Sequence, residues 1–244
     1  MSFQRALGKR ELPDELTLAD GDYRRVETLQ HSFFAATGLY AGPGGKKLYK
    51  VGREASLFGL PLRWVGRVLS RRELFMYEVC AGIEGVPKDY EVVTPTGFAR
   101  PFIDGHPLER GEYVDDEFFP RLQQLLTEIH ARELAFVDLQ KAENVLVDET
   151  GAPWLFDFQA AWYFPSDRPR SGLARLVPGP LGRYILRRFQ TADDFHVLKH
   201  WRRSRPDTIS AEQLESTHHP GGWIRMHRVL HNRWRALRKR LRSD

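Results

Sequence analysis

The chain holds one cysteine, Cys80, among 244 residues, which excludes an intramolecular disulfide and any Cys-based zinc cluster and favours a reducing compartment. It lacks a run of about 18 consecutive apolar residues, so no segment reads as a membrane-spanning helix. The opening Met1-Ser2-Phe3-Gln4-Arg5 leads into charged residues without an apolar h-region, which argues against a secretory signal. The expectation is a cytoplasmic protein. No internal repeat is present. What is there is apolar enough to fold: hydrophobic residues make up 41% and aromatics 12%, sufficient to bury a core in one two-lobed domain or two small ones. The net charge of +5 is modest but uneven, with eight Lys/Arg from Arg225 onward against one acid, Asp244. Such a tail reads either as a solvated helix face or as a contact for an anionic partner. Phospholipid headgroups, nucleic acid and a phosphorylated substrate all fit, although no recognised nucleic-acid motif supports the second.

Residues 1–25 are polar and charged and read as an irregular arm. Phe33–Tyr40 and Lys47–Val51 read as two strands joined by Gly42-Pro43-Gly44-Gly45, a hairpin signal. Helical periodicity runs over 62–84, with Leu62, Val65, Leu69, Met76, Val79, Cys80 and Ile83 as its apolar stripe. Tyr90–Val93 and Gly97–Ile103 read as two further strands. From about Val114 the pattern turns helical, and Phe118, Leu122, Leu125, Leu126 and Ile129 trace a buried face. After Phe164 come about twenty Pro- and Arg-rich residues and then helix again. The resulting division is an arm over 1–25, a small β-rich lobe over 26–104 and a helical lobe over 105–244, α+β in class.

The chemistry concentrates in Ala135–Asn144, Val145–Asp148 and Asp157-Phe158-Gln159. An Asp, an Asn shortly after it, an apolar strand, a turn and a second Asp before Phe suit phosphoryl transfer. Asp138 can accept or orient the proton of an attacking hydroxyl, while Asn144 and Asp157 offer hard oxygen ligands to Mg²⁺ bridging the phosphates of ATP. These residues resemble the catalytic loop and metal-binding motif of the protein-kinase-like superfamily, and the likeness covers roughly residues 30–165. The Asn144–Asp157 spacing of thirteen matches that pattern, whereas Asp138 and Asn144 are six apart instead of five. The resemblance implies a two-lobed kinase-like fold and makes Lys141 the counterpart of the loop lysine that steadies the γ-phosphate. Val137 stands where an Arg would hold a phosphorylated activation loop, which removes that route of regulation. Gln159 replaces a glycine whose torsional freedom permits a flip, and so favours one fixed arrangement.

The resemblance also makes Lys50 the strand lysine that contacts the phosphates and Glu73 its helix partner, with Glu78 as the alternative. Leu29–Phe33 contains no glycine-rich phosphate loop, which leaves His31 and Ser32 to supply phosphate contacts. The connector Arg100-Pro101-Phe102-Ile103 would border the adenine. No Ala-Pro-Glu motif follows Gln159, and only 85 residues remain beyond it. The compact form looks like the bacterial lipopolysaccharide-core sugar kinases and the RIO-type atypical kinases. Three readings follow: a kinase acting on a hydroxyl of a sugar or glycolipid, a RIO-like protein kinase, and a pseudokinase that binds nucleotide or a partner. Two basic amphipathic segments bear on the acceptor. Leu57–Arg72 mixes Trp64 and Leu with arginines, and Trp223, Met226, Leu230, Trp234, Leu237 and Leu241 share a face near the end. Both suit packing on the domain or an anionic membrane surface.

Overall fold

The computed structural model describes residues 5–167 and 175–218. They form two compact units. The first comprises the residues up to Pro107 together with Asn144–Ala161, and the second comprises Leu108–Glu143 and the residues from Trp162 on. The Asn144–Ala161 stretch, expected in the helical lobe, therefore groups with the first unit.

The first unit is built on a six-stranded antiparallel sheet. In chain order its strands are β1 (Glu15–Leu18), β2 (Gly21–His31), β3 (Ala35–Gly42), β4 (Gly45–Gly52), β5 (Glu91–Thr94) and β6 (Gly97–Pro101). They lie in the order β1-β2-β3-β4-β6-β5. Gly42 pairs with Gly45 across the Pro43-Gly44 turn, as the glycine punctuation predicts. The irregular arm expected over 1–25 is corrected: β1 and the start of β2 occupy it, paired from Glu15–Arg24 to Leu18–Gly21. The cause is a short alternation. Leu16 and Leu18 face inward while Glu15 and Thr17 face water, and Asp20-Gly21 supplies the reversal. Leu7 and Leu12 of the same segment join Tyr23, Tyr40, Tyr49 and Val51 in the core.

Helix α1 (Arg63–Val79) follows β4 and is shorter at both ends than the 62–84 periodicity suggests. A Cβ added to Gly66 would lie 2.2 Å from the Arg53 carbonyl oxygen, and one on Gly52 would lie 2.8 Å from the Gly66 carbonyl oxygen. Glycine at both positions lets the helix backbone approach the end of β4. A second, three-stranded sheet is formed by β7 (Gly105–Pro107), β9 (Val145–Asp148) and β10 (Pro153–Leu155).

The second unit contains α2 (Phe118–Ala131), α3 (Gly179–Ser204), α4 (Ala211–His218) and the two-stranded pair β8 (Leu134–Ala135) and β11 (Trp162–Tyr163). Phe118, Leu122, Leu125, Leu126 and Ile129 of α2 are all buried, as the periodicity requires. Phe119 stacks on Trp201 of α3 with ring centroids 5.6 Å apart. Among the described residues no helix is long and apolar enough to cross a membrane. The basic tail from Arg225 and the Trp223–Leu241 face lie outside the described residues.

Candidate active site

In the first unit Lys50 sits mid-sheet on β4, paired with Thr37 of β3 and Phe98 of β6. Its ammonium donates to both carboxylate oxygens of Glu73, at 2.9 and 2.7 Å, and to Oδ1 of Asp157 at 3.0 Å. Burial pulls the Lys50 pKa down, but the Glu73 and Asp157 carboxylates outweigh it and leave it above the ordinary 10.5. Glu73 is 1% exposed. It also accepts the Tyr77 hydroxyl on Oε1 and the Gln159 amide on Oε2, each at 3.0 Å. Burial, then the Glu73 charge, push the Tyr77 hydroxyl well above its ordinary 10.0, so it remains a donor. Glu78 is exposed and accepts the Tyr90 hydroxyl at 2.6 Å. The helix partner of Lys50 is therefore Glu73.

Asn144 and Asp157 are set by the β9–β10 hairpin. Pairing of Val145 with Leu155 puts Asn144 opposite Phe156, whose N–H lies 3.5 Å from the Asn144 carbonyl. The other end is tied by Asp148, whose carboxylate accepts from the Thr150 and Ala152 amides, the Thr150 hydroxyl and the Trp154 indole. Burial acts against ionisation of Asp148, and these donors prevail and lower its pKa. Asp157 itself is left-handed, with φ 67° and ψ 57°, an uncommon and strained state for a residue other than glycine. A buried Asn and a half-exposed Asp carboxylate at one hairpin end are a suitable oxygen pair for Mg²⁺. Such an ion keeps waters and takes substrate phosphates rather than an all-protein cage. Among the described residues no cluster of three or more His, Cys, Asp or Glu side chains suited to a metal occurs.

His31 and Ser32 lie at the turn between β2 and β3, where the structure spends both on local contacts. The Arg5 guanidinium reaches His31 Nδ1 at 3.0 Å, and the Leu7 amide reaches Nε2 at 3.2 Å. Burial first, then the Arg5 charge, lower the His31 pKa. Ser32 Oγ donates to the Ala35 carbonyl at 3.0 Å.

Asp138 and Lys141 belong to the second unit and pair with each other, Nζ to Oδ2 at 2.5 Å. The chain enters this loop through Val137 at φ 75°, a strained setting for a β-branched residue. Asp193 of α3, fully buried, holds it there. Its carboxylate accepts the Phe136 amide at 2.7 Å and the Val137 amide at 2.8 Å, with His130 Nε2 at 3.4 Å. Burial raises the Asp193 pKa despite these donors. Two turns further along α3, His200 Nε2 lies 2.8 Å from the Leu139 carbonyl, and burial lowers its pKa. Gln190 donates to the carbonyls of His130 and Leu134. The loop is thus gripped on both sides of Asp138. No local motif marks Asp193, His200 and Gln190 in the sequence. Their signal is spacing, because Leu186, Gln190, Asp193, Val197 and His200 share one face of α3 at intervals of four and three.

Neither a protein-family model nor a curated protein matches the chain. Among solved structures it is similar to the Rio2 kinase from Chaetomium thermophilum, at 15% identity and a TM-score of 0.50, over 79% of this chain and 58% of that one. It is also similar to the Rio2 kinase–ADP/Mg²⁺–phosphoaspartate complex from that organism, at 15% identity and a TM-score of 0.52, over 82% and 59% respectively. The chain spans little more than half the length of those structures. With its sheet-rich first part and helical second part, the chain has a protein-kinase-like fold, α+β in class, similar to that of the RIO-type atypical kinases.

Proposed function

We propose that the chain is an ATP-dependent phosphotransferase that moves a phosphoryl group to a hydroxyl, most naturally of a sugar or glycolipid. The observation that carries this reading is the Lys50 ammonium shared between Glu73 and Asp157, a cation fixed beside a metal-ligand candidate. Mg²⁺-ATP, when bound, supplies the transferable phosphoryl group and the charge neutralisation it needs. Lys50 binds phosphate oxygens and Glu73 orients Lys50. Asp157 and Asn144 are the oxygen ligands for Mg²⁺. Asp138 orients the acceptor hydroxyl and takes its proton, with Lys141 balancing the charge of Asp138.

The outer face of α1 supports a lipid-linked acceptor. Trp64 and Val68 are 63% and 54% exposed, and they stand between the exposed Arg63, Arg67 and Arg71. A Trp interleaved with arginines suits an anionic bilayer surface, which would place the protein peripherally at the cytoplasmic side. Fold similarity to Rio2 kinase supports a second reading, in which the acceptor is a protein.

Transfer of γ-labelled phosphate into the lipid and protein fractions of a bacterial extract tests both readings. Label in lipid that needs Mg²⁺ and is lost in Asp138→Asn supports the glycolipid kinase, and label in protein supports the second reading. No transfer, with ATP still bound, would make the chain a nucleotide-binding pseudokinase and overturn the proposal.

A further inference from the structure

Arg72, Glu73 and Gln159 form a reciprocal clasp that Lys50 alone does not require. The Gln159 side-chain amide donates to Glu73 Oε2 at 3.0 Å. In return Arg72, the neighbour of Glu73 on α1, donates from Nε to the Gln159 carbonyl at 3.0 Å and from its guanidinium to the Ala161 carbonyl. Tyr77 adds a third bolt, with its hydroxyl on Glu73 and its ring edge-on to Phe158, centroids 5.7 Å apart. Three residues of one helix thus hold the turn that opens with the strained Asp157. We propose that Arg72 and Gln159 are positioning residues that latch α1 to the Asp157 turn, keeping Glu73 on Lys50 and the phosphate-binding pair assembled without an activating event.

The chemistry of each group fits that role. Glutamine offers a neutral donor, so it adds a bond to a buried carboxylate without adding charge. Glycine at the same position would offer no donor and would free the backbone to leave the left-handed turn. Arg72 spends its charge on two carbonyls of the turn, a planar fork that a lysine would not reproduce. Burial lowers the Arg72 pKa, and carbonyl acceptors compensate the lost hydration.

The activity arm of the test rests on the phosphotransferase reading, and the exchange arm does not. In the full chain, Gln159→Gly is expected to speed amide hydrogen exchange of the second half of α1 about tenfold, while the β1–β2 ladder is unchanged. It is also expected to lower kcat/KM for ATP about tenfold. Unchanged exchange in α1 would overturn the latch whether or not any acceptor is found. Faster exchange in a chain that transfers no phosphate would support the latch and sink only the kinase reading.

Arg72→Lys keeps the proposal testable if the glycine variant does not fold. A lysine keeps the positive charge but cannot reproduce the planar fork on the Gln159 and Ala161 carbonyls. At constant pH, exchange of the second half of α1 is expected to accelerate several-fold, with the β1–β2 ladder unchanged. Exchange of α1 at the wild-type rate in this variant would contradict the latch.

Discussion

Glu73 shows what a buried charge demands of its neighbours. At 1% exposure it depends on Lys50, and removing one partner of a buried pair costs more than the pair is worth. Lys50→Met should destabilise the chain by about 3–5 kcal/mol, read as a lower urea midpoint. Adding Glu73→Gln should recover much of that loss; no recovery would mean that the charge of Glu73 is not what Lys50 offsets. Because the folded Lys50 pKa lies above the ordinary 10.5, its stabilisation is full below 10.5 and fades as pH climbs through the folded value. The Lys50 contribution should therefore be flat across neutral pH and should fade only in strong alkali. At this scale the sequence was informative about residues set by local spacing and poor about clasps. Asn144 and Asp157 were legible because one short hairpin spaces them. The bond between Arg72 and Gln159 spans 87 positions, and no local pattern reports such a pair. His31 and Ser32 stand out in the sequence by place alone, which gives no hint of the Arg5 and Leu7 contacts of His31.

Elements decide where those groups point, and α1 and α3 do so differently. Helix α1 acts through proximity. A methyl on Gly66 would meet the Arg53 carbonyl at 2.2 Å, so Gly66→Ala should push α1 from β4 and cost about 1–3 kcal/mol. Phosphate binding should weaken with it, checked by melting and by ATP titration. Helix α3 acts through polar side chains in core positions. Asp193→Ala removes the acceptor for two amides in a strained turn, and a loss of about 2–4 kcal/mol is expected, with turnover reduced further than stability alone explains. His200 adds a pH dependence. Its folded pKa lies below the ordinary 6.5, so its stabilisation is present above 6.5 and lost as pH falls through the folded value. In His200→Gln, which keeps a donor for the Leu139 carbonyl, the drop in Tm on acidification should be smaller than in wild type. The apolar stripes of α1 and α2 were legible because Leu, Phe and Ile recur at helical spacing. The working face of α3 was not, since Gln190, Asp193 and His200 read as solvated surface until their acceptors and donors are known.

Across the whole chain, the sheet-rich first part and helical second part followed from pattern, and the kinase-like fold followed from the loop motifs. The division into units did not. The Asn144–Ala161 stretch joins the sheet unit because β9 pairs with β7 and the Leu155 amide reaches the Gly85 carbonyl at 2.8 Å, contacts without a sequence signature. Strand β1 escaped because Leu16 and Leu18 are only two apolar residues in a charged stretch, too few to weigh against their neighbours. Lys50, Glu73, Asn144 and Asp157 nevertheless fall within one unit, so their account can be tested without knowing the acceptor. The most direct measurement is calorimetric titration of ATP with and without Mg²⁺ into wild type and Asp157→Ala. The account predicts Mg²⁺-dependent binding to wild type, with that dependence abolished by the substitution. Binding that ignores Mg²⁺, or that survives Asp157→Ala undiminished, would contradict it.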